Sequence, residues 1–251
     1  LALGALAVAV SSLTVLPILH HNAARGTGWV ISSNNERNFF LGNNPYTPDY
    51  KTSHLGQRSL DELEPEVGAY VRSFYERPDS RNAMRKEALR YILENPGRTL
   101  WRTFNRVAAF WGFDYLASRL HQKHRGWGSL GLLLMLALEA GSYLFVIVLG
   151  VVTLASFRSE LGRGPATIML ALIVAYQAPY ALAFSAGTYH HPVMGLVLPV
   201  AGVTLAHAVG PDGLGRMTHG LRHRAWFWLV VGAFAAIQVQ YAWQAVRWGA
   251  L

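Results

Sequence analysis

The residues with the most chemistry to offer fall in three places. Ser32 to Pro45 reads SSNNERNFFLGNNP, where Asn34, Asn38, Asn43 and Asn44 carry amides and Arg37 a guanidinium. Those groups donate and accept the hydrogen bonds that a sugar hydroxyl or a phosphate needs. Further on, Tyr189, His190 and His191 stand directly before Pro192. They combine a phenol with a titratable imidazole pair, suited to a phosphate, a sugar hydroxyl or a metal. Between the two, Arg98, Arg102 and Arg106 recur every four residues, and Arg102 and Arg106 are candidates to pair phosphate oxygens bidentately. Each cluster also has a plainer reading: an Asn-rich turn, an interfacial Tyr-His group and contact with bulk lipid headgroups.

Weaker candidates are scattered. Glu139 lies inside a long apolar run, where a carboxylate is costly unless it is paired or near the interface. Asp114 is an acid candidate beside Trp111 and Phe113, and Gln177 reads as a helix–helix hydrogen bond. His190-His191, His20-His21, His219 and His223 lack the spacing of a closed metal site, so a divalent metal is left open and no cofactor is assigned. No phosphate-cradling glycine loop, Ser-His-Asp order or paired-carboxylate motif is present.

The elements that must position these groups are helices in a membrane. The 251 residues are 52% hydrophobic and only 14% charged, against about a quarter charged in soluble domains. Apolar runs of spanning length recur, so the fold class read from the sequence is all-α integral membrane, with about five transmembrane helices. These are residues 1–19, Ser129–Phe157, Ala166–Phe184, Pro192–Val209 and Ala225–Val246. The chain thus divides into a first span (1–19), a hydrophilic stretch with amphipathic helices (20–128) and a four-helix region (129–251). The formal charge of +8 reads as membrane orientation and anionic headgroups, so membrane lipids are expected partners and nucleic acid is not. The absence of cysteine excludes disulfides and thiol chemistry. The chain opens on Leu1 within an apolar run that has no basic residues ahead of it. That reads as a truncated span, and predicts the C-terminal part of a longer protein.

Within 20–128 three helices are predicted. Pro65 to Glu76 carries Val67, Tyr70, Val71, Phe74 and Tyr75 on one face. Ser80 to Glu94 carries Met84, Ala88, Tyr91 and Ile92, with Asp79 or Ser80 as cap. The third starts at Pro96 with Asn95 as cap, and sets Leu100, Phe104, Val107, Ala108 and Trp111 opposite the arginines. Such a helix is expected in the headgroup layer. Arg158 and Arg163 mark one connector, and Arg216, Arg222 and Arg224 another, while Ser185–Pro192 has no Lys or Arg. By the positive-inside rule the first two face the cytoplasm, so the long stretch and the Ser185–Pro192 connector lie outside. The location expected is a bacterial-type inner (plasma) membrane, multi-pass, with the long loop extracytoplasmic.

Three segments carry a family resemblance. SSNNERNFFLGNNP resembles the Ser-Thr-Asn-Gly-Gly…Asn…Gly-Asn-Asn-Pro run of membrane glycosyltransferases that take sugar from a polyprenyl-phosphate carrier. That superfamily includes protein mannosyltransferases and the aminoarabinose transferases of lipid A. Ser32, Ser33, Asn34, Asn38, Gly42, Asn43, Asn44 and Pro45 fall in register, with Asn35 and Glu36 in place of the two glycines. Tyr189 to Pro192 is similar to the family's Arg-Tyr-x-x-Pro element, with Thr188 where its Arg stands. Lys86 to Trp111, KEALRYILENPGRTLWRTFNRVAAFW, is similar to the helix break and Phe-Trp pair that end the family's outer loop.

The resemblance implies an incomplete GT-C-type fold and transfer of a sugar from a polyprenyl-phosphate-linked donor at the outer face. It implies donor or lipid-phosphate contacts at Asn34, Arg37, Asn38, Asn43, Asn44, Arg102, Arg106, Tyr189, His190 and His191. The general-base carboxylate is expected upstream of this chain, which alone is expected to be inactive; sugar and acceptor stay open. An O-antigen-ligase-like transferase and a non-enzymatic membrane anchor or transporter part are the alternatives.

Overall fold

The structure is a computed structural model that describes residues 13, 15–26, 28–32, 34–50, 54–115, 118, 120, 128–156, 163–209 and 225–247. Among these residues every regular element is a helix. The chain packs as two units, residues 1–47 with 54–95 and residues 48–53 with 96–251.

The first unit begins with a helical stretch over 15–24. Residues 1–12 and 14 of the expected first span lie outside the described residues, as do the basic connectors 157–162 and 210–224. Its three further helices are α1 (Asn35–Gly42), α2 (Pro65–Tyr75) and α3 (Ser80–Glu94). α2 and α3 match the sequence reading. Pro65 opens α2, where its missing N–H costs nothing, and Glu66 lies in the first turn. Asp79 is the N-cap residue of α3, but its side chain makes no capping hydrogen bond.

α1 is a correction. Asn-rich residues favour turns, yet NERNFFLG folds as two turns of helix. Phe40 and Leu41 go to the core with Leu55, Val71, Met84 and Ala88. The Phe40 ring lies 5.8 Å from Tyr70 and 4.8 Å from Phe74. Burying those two side chains outweighs the weak local preference. Asn95 stands between two helices: its amide donates back to the Tyr91 carbonyl at 3.0 Å and closes α3, and the next helix starts at Pro96 as expected.

The second unit holds α4 (Pro96–Phe110), α5 (Ser129–Ser156), α6 (Arg163–Leu182), α7 (His191–Ala208) and α8 (Ala225–Arg247). Among the described residues, four stretches are long and apolar enough to cross a membrane: Leu130–Ala155, Gly164–Leu182, Gly187–Ala208 and Ala225–Trp243. The protein is an all-α membrane protein. α5 and α7 approach closely, with a Cβ built on Gly150 falling 3.1 Å from Val197. Thr153 Oγ1 lies 2.6 Å from both the Val200 carbonyl and Thr204 Oγ1, and Thr204 donates to the Leu149 carbonyl at 2.9 Å. Small residues and hydroxyls of this kind hold helices together where lipid removes the hydrophobic drive.

α4 was expected within the hydrophilic stretch 20–128, with its arginines outward. It packs instead with the membrane helices, and its amphipathic face is turned over. Arg102 and Arg106 are 0% and 1% exposed, whereas Leu100, Trp101 and Phe104 are 72%, 53% and 55% exposed.

Candidate functional site

The arginine ladder is built around Asp49. Arg98 Nε donates to Asp49 Oδ1 at 2.6 Å, Arg102 Nε to the same oxygen at 2.9 Å, and Asn105 Nδ2 to the Asp49 carbonyl at 2.8 Å. Burial pushes the Asp49 carboxyl up, but the two arginines outweigh it and hold it below its ordinary value. One turn on, Arg106 Nη1 donates to the carbonyls of Ala181 and Leu182 at 3.3 and 3.1 Å. These belong to the last turn of α6, whose partial negative charge a guanidinium complements. Burial, with Arg102 nearby, lowers Arg106 to about 10, so it remains charged at neutral pH. The expected phosphate contact from Arg102 and Arg106 is therefore corrected: both are internal cations engaged by the protein.

The end of α4 and the residues after it, Phe110-Trp111-Gly112-Phe113, are gripped by side chains from all four membrane-length stretches. His190, just ahead of α7, brings Nδ1 to 2.8 Å from the Phe110 carbonyl, which places the ring hydrogen on Nδ1. Tyr143 of α5 donates its hydroxyl to the Trp111 carbonyl at 3.1 Å. Gln238 of α8 donates to that carbonyl at 2.7 Å and accepts from the Phe113 N–H at 2.8 Å. Gln177 of α6 accepts from the Trp111 indole at 3.3 Å, the helix-to-neighbour bond expected of it. A Cβ on Gly112 would meet the Tyr241 ring at 2.7 Å, and one on Gly187 the Gly112 carbonyl at 2.9 Å. Only glycine lets these backbones approach so closely.

The expected Tyr-His group therefore splits. His190 is 2% exposed and stacks on Tyr143 with centroids 4.5 Å apart, so its role is structural. Tyr189 is half-buried and stacks on Tyr180 at 4.6 Å. His191 is exposed, with Nε2 3.6 Å from Asp114 Oδ2. Around this pair, the Tyr115 and Tyr241 rings lie 5.8 Å apart, and Tyr50 and Asp114 both bear electrostatically on Tyr241. Burial, with Tyr115 adding, raises the Tyr50 phenol above its ordinary value. An imidazole, a carboxylate and three phenols that are at least partly buried lie in this part of the second unit. Sequence reasoning missed Tyr50, Tyr115, Tyr241 and Gln238. The signal for Gln238 was an amide inside an apolar span, where Gln240 and Gln244 follow it.

In the first unit, Asn43 and Asn44 are 1% and 0% exposed. Their amides donate to the Phe39 and Phe40 carbonyls, both at 2.9 Å, and Asn44 Oδ1 accepts from the Tyr46 N–H. They close α1, and the expectation that they grip a ligand meets no open side chain. Asn34 is the exposed N-cap residue of α1, and Asn38 bonds through its backbone to the Asn34 carbonyl at 2.8 Å. Arg37 is exposed, donating to the Tyr75 hydroxyl at 2.7 Å with its guanidinium 5.2 Å from that ring.

Glu139 accepts from the backbone N–H and hydroxyl of Ser118, at 3.1 and 2.5 Å, which satisfies a carboxylate on a membrane helix. In the four-helix region an apolar cleft of about 220 Å³ is lined by residues such as Trp111, Ile147, Ile173, Val197 and Phe234. Among the described residues no three His, Cys, Asp or Glu side chains gather as a metal site. Comparison of the chain with protein-family models, with curated proteins and with solved structures finds no match to any of them.

Proposed function

We propose that the chain is the C-terminal portion of a membrane glycosyltransferase that moves a sugar from a polyprenyl-phosphate-linked donor to an acceptor at the outer face of the membrane. The observation that carries this reading is the exposed His191 beside Asp114, at the head of a helix of membrane-spanning length. The residue patterns of Ser32–Pro45, Lys86–Trp111 and Tyr189–Pro192 support it. In such a transfer the acceptor oxygen attacks the anomeric carbon and the bond from that carbon to the phosphate oxygen breaks. The departing phosphate keeps the electron pair. An imidazole beside Asp114 is suited to donate a hydrogen bond to that phosphate and stabilise its developing charge. Phenol faces are suited to a sugar ring. The base that takes the acceptor's proton belongs, in this reading, to a residue outside the chain.

The test is donor binding by the membrane-embedded full-length protein, with a polyprenyl-phosphate-linked sugar as probe. His191→Ala should weaken binding about tenfold, the size of one charge-assisted contact, and His191→Arg should restore part of it. Unchanged binding in His191→Ala would overturn the assignment. A membrane anchor is the second reading. It is favoured by the burial of five of the ten expected contact residues (Asn43, Asn44, Arg102, Arg106 and His190) in the fold itself. That reading predicts no donor binding even in the unmodified protein.

A further inference from the structure

We propose that α4 is sunk into the hydrocarbon edge of the bilayer with its polar side turned to protein. Leu100, Trp101 and Phe104 then contact acyl chains rather than water or headgroup phosphates. This stands independently of any catalytic role.

At 15 residues α4 is about 22 Å long, too short to cross a hydrocarbon core of about 30 Å. It therefore lies along or within one edge. Its outer stripe is apolar: Leu100, Trp101 and Phe104 are all more than half exposed, and the Trp101 and Phe104 rings stack at 5.7 Å. Contiguous large side chains exposed in this way mark a surface that water does not cover.

The opposite stripe is engaged by protein and fully buried at Arg102 and Arg106. Arg98 and Arg102 hold Asp49, Asn105 holds the Asp49 backbone, and Arg106 holds the end of α6. A helix floating on headgroups presents its cations to phosphate. Here the two central cations point the other way, and the outer stripe carries no charge.

Two features choose hydrocarbon as the occupant. α4 belongs to the same packed unit as the four membrane-length helices, and its C-terminal end is bonded to each of them. Those helices expose the same kind of surface, as at Leu134 on α5 and Val174 on α6, 57% and 65% exposed. The outer stripe of α4 continues that lipid-facing chemistry.

The chain has no cysteine, so single nitroxide labels can be placed cleanly. The full chain would be reconstituted into vesicles of neutral phosphatidylcholine, and again with added anionic phosphatidylglycerol. Labels at Leu100→Cys and Phe104→Cys would be read by power saturation against oxygen and a water-soluble nickel chelate, with Leu134→Cys as the lipid-facing reference. The expected result is an oxygen-to-nickel accessibility ratio within about twofold of that reference in both vesicles. Nickel accessibility exceeding oxygen would put the stripe in water. A ratio that matches the reference only with anionic lipid would put it among headgroups. Low accessibility to both reagents would mean that another polypeptide covers it. Any of these three results overturns the proposal.

Discussion

α3 and α4 are both 15 residues long and each buries one face, yet what they bury is opposite in kind. α3 buries Ala83, Met84, Ala88 and Tyr91, and ties its charges together outside, where Arg90 bridges Glu87 and Glu94. α4 buries Arg102, Asn105 and Arg106, and exposes Leu100, Trp101 and Phe104. Amphipathicity sorts a helix into two faces, but the surrounding solvent decides which face turns inward. In water the polar face is cheap to leave outside. In lipid it must find protein, and α4 finds Asp49 and the end of α6.

The strongest way to break that contrast is to remove one carboxylate from each unit. Asp49→Ala strips the ion pair from the fully buried Arg102 and should cost about 3–5 kcal/mol. Glu36→Ala removes one partner of Arg81, which is 40% exposed, and should cost less than about 1 kcal/mol. Unfolding in detergent micelles, followed by helical circular dichroism, measures both; equal losses would erase the distinction. A middle-sized effect tests the grip on the end of α4. Gln238→Leu keeps the bulk but leaves the Phe113 N–H unmet, and should cost about 1–3 kcal/mol in the same assay.

The smallest effect is in acid. Burial raises both Asp49 and Glu36, but arginine partners outweigh it and leave both below their ordinary values. Groups lowered in the fold add stability above the ordinary carboxyl range and lose it as pH falls through the lowered values. Stability should therefore hold from pH 7 to 5 and fall below about pH 4. Asp49→Asn should flatten that limb more than Glu36→Gln does.

Much of the helical layout could be read from residues alone. Pro65 and Pro96 mark helix starts, the apolar stripes of α2 and α3 have helical period, and the later apolar runs match the membrane-length helices. The burial of Arg102 and Arg106 was hidden. Their regular spacing fits an outer or an inner face equally well, and Asp49 lies about fifty residues away in sequence. The amides of Asn43 and Asn44 looked like ligand contacts because nothing local reveals that Phe39 and Phe40 present carbonyls to them. His190 and His191 are neighbours of one type, yet helix geometry sends one to the Phe110 carbonyl and the other toward Asp114. Adjacency in sequence carries no information about that parting.

The clasp on Trp111 and Phe113 also bears on the order of assembly during synthesis. The turn emerges from the ribosome well before Gln238, so its Phe113 amide must wait for α8 to be made and inserted. Until then the region is a partly open intermediate, and a nascent chain arrested ahead of α8 should be trimmed by proteases that spare the finished molecule.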